Sequence, residues 1–190
     1  TWISLVNTNI DNMTIFNELD GLISINIEGT KINLSINKNF EIYNELISKG
    51  VYINVDDTSE IIQFKNQEFK QELVNNSYLY LDRNQDKEIS KMEMLSLSNI
   101  TINNINYLQD LQDAINLKQL SIYDYNQEQK SLDFTDLLNF NKLESFEISN
   151  AKKWENLEQL SKLTNLKKIS FSVAYDDPNT VIDCSFLENL

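Results

Sequence analysis

The chain has 190 residues, 41% of them hydrophobic, which is enough for a continuous core in one domain or in two small ones. Its 16 basic and 29 acidic residues give a net charge of −13, which repels phosphate backbones and anionic lipid surfaces. It has no histidine and one cysteine, which excludes histidine general bases, Ser-His and Cys-His pairs and the common zinc sites. No segment approaches the roughly 20 apolar residues of a membrane helix. We therefore expect no enzyme of these classes, no nucleic-acid partner and no membrane insertion.

The chain begins with an alternation of apolar residues that repeats. The pattern Ile3-Ser-Leu5 returns 22 residues later as Ile25-Asn-Ile27. Because side chains alternate between the two faces of a strand, each pattern predicts a short strand with one apolar face. The return of the pattern predicts stacked repeat units.

The end of this first part has the pattern of a closing helix and strand. Residues 40–49 place apolar side chains at helical spacing, and Gly50 is the residue type that commonly ends a helix. Residues 51–55 alternate in the manner of a strand. We predict that residues 1–55 form the tail of a repeat array with a closing helix and strand.

Residues 56–93 separate the two repetitive parts of the chain. The polar start of this segment predicts a linker, and Phe64, Phe69 and Leu73 lie at intervals that predict a helix. We predict a linker and helical cap over residues 56–93.

The end of this cap, residues 82–93, follows the pattern of a 12-residue EF-hand calcium loop. Calcium takes six to eight oxygen ligands, which such a loop supplies from positions 1, 3, 5, 7, 9 and 12. The residues at those positions are Asp82, Asn84, Asp86, Glu88, Ser90 and Glu93. Ile89 stands at position 8, where EF-hand loops form a short strand. We therefore predict a calcium site in an EF-hand-like loop.

Lys87 departs from the loop pattern, because position 6 normally carries the glycine of a sharp left-handed turn. A side chain there costs about 1 kcal/mol, and the lysine charge lies near the ion. We expect weak binding, at roughly 10⁻⁴–10⁻³ M, which suits extracellular calcium. The alternative is a metal-free turn whose carboxylates cap a helix over Ser90–Leu95.

Residues 94–190 carry a second repeated pattern, in which leucine or isoleucine recurs in triplets. We align the triplets at intervals of 25, 26 and 23 residues, on Leu95, Leu120, Phe146 and Ile169. Between the triplets, apolar residues three or four positions apart around 105–111 and 154–163 predict short helical or 3₁₀ returns. A strand with its return cannot bury its apolar side alone, so we predict the head of a second array with one shared core.

Two segments of the chain resemble the strand-plus-return and inter-repeat motifs of bacterial leucine-rich repeat proteins of the internalin type. They are Leu95-Ser-Leu-Ser-Asn-Ile-Thr-Ile-Asn-Asn-Ile-Asn-Tyr-Leu and Leu163-Thr-Asn-Leu-Lys-Lys-Ile. The usual turn asparagine of that family is replaced by Ile100, Tyr125 or Ala151. The resemblance implies an α/β leucine-rich repeat solenoid with parallel strands on its concave face and a helical EF-hand-like cap. It also implies a secreted or cell-surface bacterial protein that binds a protein partner on that face.

Alternation along the strands places the residues that do not face the core on the concave face. Our alignment gives one ladder of Ser96, Ser121, Glu147 and Ser170, and another of Ser98, Tyr123, Ser149 and Ser172. The small serines predict a shallow trough. The residues predicted to anchor a partner in it are Tyr123, Asp124, Glu147 and Tyr175.

These patterns predict a binding module and not an enzyme. The alternative is an architectural spacer or capping segment of a larger surface protein, without a ligand of its own. A carboxylate-only enzyme, such as a two-acid glycosidase, is disfavoured because the acidic residues are scattered over exposed repeat positions. Because the chain begins at a strand and ends as a repeat begins, we also expect end-to-end self-association or further repeats.

Overall fold

The computed structural model describes residues 1–123, 132–149 and 154–172. The chain divides into two compact units. The first comprises Thr1–Gln63 and Leu81–Ser96, and the second comprises Phe64–Tyr80 and Leu97–Leu190. The segment 56–93, predicted as one linker and cap, thus contributes residues to both units. The predicted domain boundaries at residues 55 and 93 remain predictions.

Both units are built from short parallel strands and helical segments. The helices are α1 (Asn37–Ser48), α2 (Gln67–Asn75) and α3 (Lys91–Leu95). The strands are β1 (Trp2–Ser4), β2 (Ser24–Asn26), β3 (Tyr52–Asn54), β4 (Asn99–Ile102), β5 (Gln119–Tyr123), β6 (Leu132–Asp133), β7 (Ser145–Ser149), β8 (Trp154–Glu155) and β9 (Lys168–Ser172). Within the described ranges, no helix has the length and apolarity needed to cross a membrane.

The first unit contains a three-stranded parallel sheet in the order β1-β2-β3. Ile3 pairs with Ile25, and Ile25 pairs with Ile53 on its other side. The predicted 22-residue interval between Ile3 and Ile25 is therefore confirmed. Ile25 and Ile53 are buried, because alternate residues of each strand face the core.

Helix α1 connects β2 to β3 and packs its apolar stripe into the core of the first unit. Ile42, Tyr43 and Leu46 are buried on that stripe. Gly50 follows the helix with a φ of +82°, a left-handed conformation that favours glycine and ends the helix. The helix and the strand predicted at residues 40–55 are therefore present, and their role in closing a repeat array stays a prediction.

A buried asparagine ties the loops of the first unit to α1. The side chain of Asn39 accepts a hydrogen bond from the Met13 N–H at 3.0 Å. Its amide group donates to the carbonyl oxygens of Asp11 at 3.2 Å and Asn33 at 3.1 Å. Because backbone groups buried without partners are costly, this one side chain stabilises the turns on either side of β2.

The second unit is built on a four-stranded parallel sheet in the order β4-β5-β7-β9. One row of core residues runs across all four strands, and a second row lies two residues further along. The rows are Ile100, Leu120, Phe146 and Ile169, and Ile102, Ile122, Ile148 and Phe171. The predicted shared core of the second array therefore has the expected apolar residues from β5 onward.

The first repeat of this array does not have the predicted register. Leu120 pairs with Ile100 and not with Leu95, so the first interval is 20 residues instead of 25. Leu95 instead ends α3, because Ser90 and Glu93 form a capping box that starts a helix at Lys91. The spacing Leu-x-Leu at residues 95–97 is compatible with a helix end as well as with a strand.

The returns between the strands of the second unit are 3₁₀ segments. Those at Ile105–Leu111 and Leu157–Lys162 were predicted, whereas the one at Phe134–Leu137 was not. A second, two-stranded parallel sheet pairs Leu132 with Trp154 and Asp133 with Glu155. The apolar spacing of the returns did not predict this sheet.

Candidate functional site

The side of the four-stranded sheet that faces away from the core carries three rows of mostly small, polar residues. We call this surface the ladder face. Its rows are Asn99, Gln119, Ser145 and Lys168; Thr101, Ser121, Glu147 and Ser170; and Tyr123, Ser149 and Ser172. The predicted ladders are therefore confirmed for β5, β7 and β9.

Two predicted members of the ladders lie elsewhere. Ser96 is the C-cap residue of α3, and Ser98 precedes β4. Thr101 takes the place predicted for Ser96, since β4 pairs with β5 five residues further along the chain than we aligned it. The same shift in register is the physical reason for both errors.

Tyr123 and Glu147 lie on neighbouring strands of the ladder face. Glu147 pairs with Ser121, and Tyr123 pairs with Ser149. From the strand spacing and rise, their Cα atoms lie roughly 8 Å apart on a diagonal. Both are half-buried. The other predicted anchors, Asp124 and Tyr175, fall outside the described residues.

A cleft of about 290 Å³ lies where α2 and the turn after it approach β4 and β5. Its lining residues are Phe69, Glu72, Leu73, Asn76, Tyr78, Leu79, Asn99, Ile100, Thr101, Gln119 and Ser121. Four of these belong to the rows of the ladder face, so the cleft and the face form one continuous surface. We call it the α2 cleft.

The sequence analysis did not find the α2 cleft. The one local signal near it in the sequence was the pair of aromatic residues Tyr78 and Tyr80 in the segment after the predicted helix. Tyr78 is 98% exposed at the rim of the cleft, whereas Phe69 and Leu73 form its buried base.

Asp110 holds the start of α2 in place within the second unit. Its carboxylate accepts hydrogen bonds from the backbone N–H groups of Lys65 at 2.7 Å and Asn66 at 2.9 Å. Asp110 is only 5% exposed. Because the N–H groups at a helix start have no partner within the helix, this carboxylate fixes the wall of the cleft.

The base of the cleft is also held by aromatic packing. The rings of Phe69 and Tyr107 stack with their centroids 4.5 Å apart. The hydroxyl of Tyr107 donates to Oε1 of Glu72 at 3.4 Å. Burial and the neighbouring carboxylates raise the pKa of Tyr107, so its hydroxyl stays a donor at neutral pH. Glu72 is therefore positioned as an acidic group on the wall of the cleft.

The calcium-type loop lies in the first unit and has the left-handed turn that its pattern requires. Lys87 has a φ of +67°, although it is not a glycine. Beside it, Ile89 is fully buried, and an antiparallel bridge joins Ser90 to Ile61. The Ile62 N–H donates to the Ile89 carbonyl at 2.9 Å, so position 8 pairs as a short strand.

Glu93 and Ser90 fill the last two predicted ligand positions by capping α3. The Ser90 hydroxyl accepts from the Glu93 N–H at 3.0 Å, and the Glu93 carboxylate accepts from the Ser90 N–H at 3.0 Å. The same carboxylate accepts from the Arg83 N–H at 2.7 Å. Burial raises the pKa of the Glu93 carboxyl, and these N–H groups only partly offset that rise. The capping turn weighed as the alternative is thus present.

The exposed end of the loop brings together Asp82, Asn84 and Asp86. Asp82 accepts from the N–H groups of Asp86 and Lys87, at 3.2 and 3.1 Å. Asp86 accepts from the Asn84 side chain and from the Glu88 N–H, both at 2.8 Å. These oxygens are of the type that calcium prefers, and an ion would displace the bond between Asn84 and Asp86.

The acidic side chains of the loop do not meet around one point. Within the described residues, no group of three or more Cys, Asp or Glu side chains is placed to hold a metal ion. The residues fit calcium in oxygen type and spacing, whereas their hydrogen bonds are those of a capped turn. The calcium assignment therefore stays a prediction.

Parallel strands joined by short returns, with one core shared across the strands, define an α/β repeat protein. The family model described as R13L1/DRL21 LRRs matches residues 92–173, which is less than half of the chain. The match supports a leucine-rich repeat protein. No curated protein has a sequence that matches this chain.

Leucine-rich repeat domains generally mediate interactions between proteins, and they are typically binding modules without enzymatic activity. The matched segment contains β4, β5, β7 and β9, and hence every row of the ladder face. The candidate binding surface and the family match therefore fall on the same part of the chain.

Proposed function

We propose that this chain is a protein-binding module and that its partner lies on the ladder face, with one side chain anchored in the α2 cleft. The observation that carries the proposal is the continuity of the two surfaces through Asn99, Thr101, Gln119 and Ser121. A broad polar face with one concave pocket is the arrangement in which a few anchors supply most of the binding energy.

The residues around the cleft suit a protein partner. Tyr78 and Tyr123 offer aromatic contact, and Glu72 and Glu147 offer carboxylates that a basic side chain of the partner would pair with. The small residues between them let another protein surface approach the sheet closely. The resemblance to internalin-type proteins supports a secreted or cell-surface bacterial setting for this interaction.

Site-directed photo-crosslinking tests the location of the partner. A photoreactive amino acid at Thr101, on the ladder face, is expected to capture a partner from extracts of host or neighbouring cell surfaces. The matched control places it at Glu158, which is exposed on the return between β8 and β9. Capture from Glu158 but not from Thr101 would contradict the proposed face.

Substitution of the face separates a binding module from an architectural spacer. Thr101→Arg places a long charged side chain at the mouth of the cleft and is expected to weaken partner binding at least about tenfold. Glu158→Arg is expected to leave it unchanged. If both variants bind the partner as strongly as the unaltered protein does, the chain is a spacer or capping segment without a ligand of its own.

We further propose that the loop over Asp82–Glu93 binds calcium weakly. The left-handed φ at Lys87 and the short strand at Ile89 support this, because both features belong to a calcium loop. Millimolar calcium is then expected to raise the melting temperature. Lys87→Gly should enlarge that rise, since it removes both strain and a like charge, and Asp86→Ala should abolish it.

Magnesium at the same concentration serves as the control for ionic strength. Mg²⁺ demands a smaller octahedral site and should raise the melting temperature less. If calcium and magnesium act alike on the parent chain and on Asp86→Ala, the loop is a metal-free cap. The protein-binding proposal does not depend on that outcome.

A further inference from the structure

The sheet of the first unit carries a second cleft, unrelated to the ladder face. It has a volume of about 330 Å³ and is lined by Trp2, Ile3, Ser4, Ser24, Ile25, Asn26, Tyr52 and Asn54. A cleft of this size is at the small end of the range for small-molecule sites. Neither the family match, which begins at residue 92, nor the predicted sites include it.

Two exposed aromatic side chains form the walls of this cleft. Trp2 and Tyr52 pair with Ser24 from opposite sides in the parallel register, so they are two strands apart. From the spacing of strands, their Cα atoms lie roughly 10 Å apart. Trp2 is 78% exposed and Tyr52 is 65% exposed. The small Ser24 between them leaves room for a flat ring to enter and stack.

The next row of the same face supplies the polar floor, from Ser4, Asn26 and Asn54. The Asn26 Oδ1 already accepts from the Glu28 N–H at 3.2 Å and from the Asn54 amide at 3.4 Å. The Asn54 amide also donates to Glu28 Oε2 at 3.3 Å. The groups left to bind a ligand are the amide donor of Asn26 and, beside it, the carbonyl acceptor of Asn54.

None of the eight lining residues is charged, although the chain as a whole has a net charge of −13. No lining residue would therefore pair with an ionic ligand, and the nearby Glu28 carboxylate already accepts from the Asn54 amide. The chemistry of the cleft is that of flat aromatic walls over adjacent neutral donors and acceptors. A sugar ring matches both, because its C–H face stacks on aromatic rings and each hydroxyl can donate and accept a hydrogen bond.

We propose that the cleft between Trp2 and Tyr52 binds a neutral saccharide. The two aromatic residues stack on the sugar ring, and Asn26 and Asn54 bind neighbouring hydroxyl groups. The prolines of a proline-rich peptide would also stack on the aromatic walls, but a proline has no N–H group to donate to the Asn54 carbonyl. The site is independent of the protein-binding face of the second unit.

Tryptophan fluorescence on the full chain tests the proposal. The chain has two tryptophans, Trp2 and Trp154, so Trp154→Phe leaves Trp2 as the reporter. Titration with cellobiose, N,N′-diacetylchitobiose and maltotriose is expected to give a saturable change with at least one of them. Tyr52→Ala in the same background should weaken that binding at least about tenfold. Tyr80→Ala, which removes a tyrosine of similar exposure (61%) outside the cleft, should leave it unchanged.

A second measurement keeps the test independent of the reporter. By calorimetry on the otherwise unaltered chain, Trp2→Ala should abolish saccharide binding and Trp2→Phe should restore part of it. The proposal is overturned if none of the three saccharides binds, if Trp2→Ala binds as the parent does, or if only a proline decapeptide binds. Far-ultraviolet circular dichroism identical to that of the parent chain confirms that each variant is folded.

Discussion

The three-stranded and the four-stranded parallel sheets have the same kinds of residue on their core faces and different residues on their opposite faces. Toward the core, both present isoleucine, leucine or phenylalanine in register, such as Ile25 beside Ile53 and Leu120 beside Phe146. Away from the core, the first sheet presents two aromatic residues, Trp2 and Tyr52, among small, uncharged polar ones. The second presents one aromatic residue, Tyr123, among serine, threonine and other polar or charged residues. Stacking constrains the core positions, which leaves the other face free to acquire separate binding chemistry.

The segments beside the two sheets show a second parallel. In the first unit, the buried Glu93 carboxylate accepts two backbone N–H groups. In the second, buried Asp110 does the same at the start of α2. In each unit, a single carboxylate therefore fixes a turn that ordinary sheet pairing does not reach. A buried carboxylate thus stabilises a capped loop in the first unit and the wall of a candidate binding cleft in the second.

The largest expected effect comes from the shared core. Leu120→Ala and Ile25→Ala should each lower the free energy of unfolding by about 2–5 kcal/mol, because both side chains are fully or almost fully buried. Urea titration followed by circular dichroism measures the loss. Ser121→Ala, at the next position of β5, is the control and should change stability by less than about 0.5 kcal/mol. A larger loss for Ser121 than for Leu120 would reverse the assignment of the two faces.

The next effect concerns the carboxylate at α2. Asp110→Ala should cost about 1–3 kcal/mol, because two backbone N–H groups lose their partner. It should also weaken partner binding through the α2 cleft, whose wall is α2. Asp113→Ala, which removes a half-buried carboxylate three residues away, provides the comparison. Equal stability losses in the two variants would show that Asp110 does not hold α2.

The carboxylate of the first unit is expected to make stability depend on pH. Burial holds the pKa of Glu93 above its unfolded value, so the folded chain takes up a proton where the unfolded chain does not. The contribution of Glu93 to stability therefore rises as the pH falls from neutral through the folded pKa. It levels off below the unfolded value of about 4.3.

Glu93→Gln removes this titration and isolates it from the other acidic groups. When the pH is lowered from 7 to 5, the melting temperature of the parent chain should rise relative to that of the variant. Melting curves at the two pH values, in calcium-free buffer, measure the difference. If the melting temperature of the parent chain instead falls relative to that of the variant on acidification, the hydrogen bonds from Ser90 and Arg83 lower the pKa of Glu93 more than burial raises it.

The smallest effect is expected at the aromatic walls of the first sheet. Trp2→Ala should change the free energy of unfolding by no more than about 0.5 kcal/mol, because most of the side chain is exposed. The measurement is the same urea titration as for Leu120. A loss above about 2 kcal/mol would indicate that Trp2 is a packing residue and not part of a binding surface.

The sequence alone determined the elements that depend on local periodicity. The 22-residue return of Ile3 at Ile25, the helix before Gly50 and two of the 3₁₀ returns followed from the spacing of apolar residues. The ladder residues of β5, β7 and β9 followed from the period of two in a strand. These features could be predicted because each is set by residues close together in the chain.

Only the tertiary structure decided the features that depend on distant residues. The register of β4 against β5 is one of them, since Ile100 and not Leu95 lies opposite Leu120. The α2 cleft forms because Asp110 holds the backbone at Lys65 and Asn66, 45 and 44 residues away in the chain. The aromatic walls of the first sheet meet across Ser24 because parallel pairing sets Trp2 and Tyr52 in one row. Periodicity specifies which face a residue occupies, whereas the register of the strands decides which residues meet there.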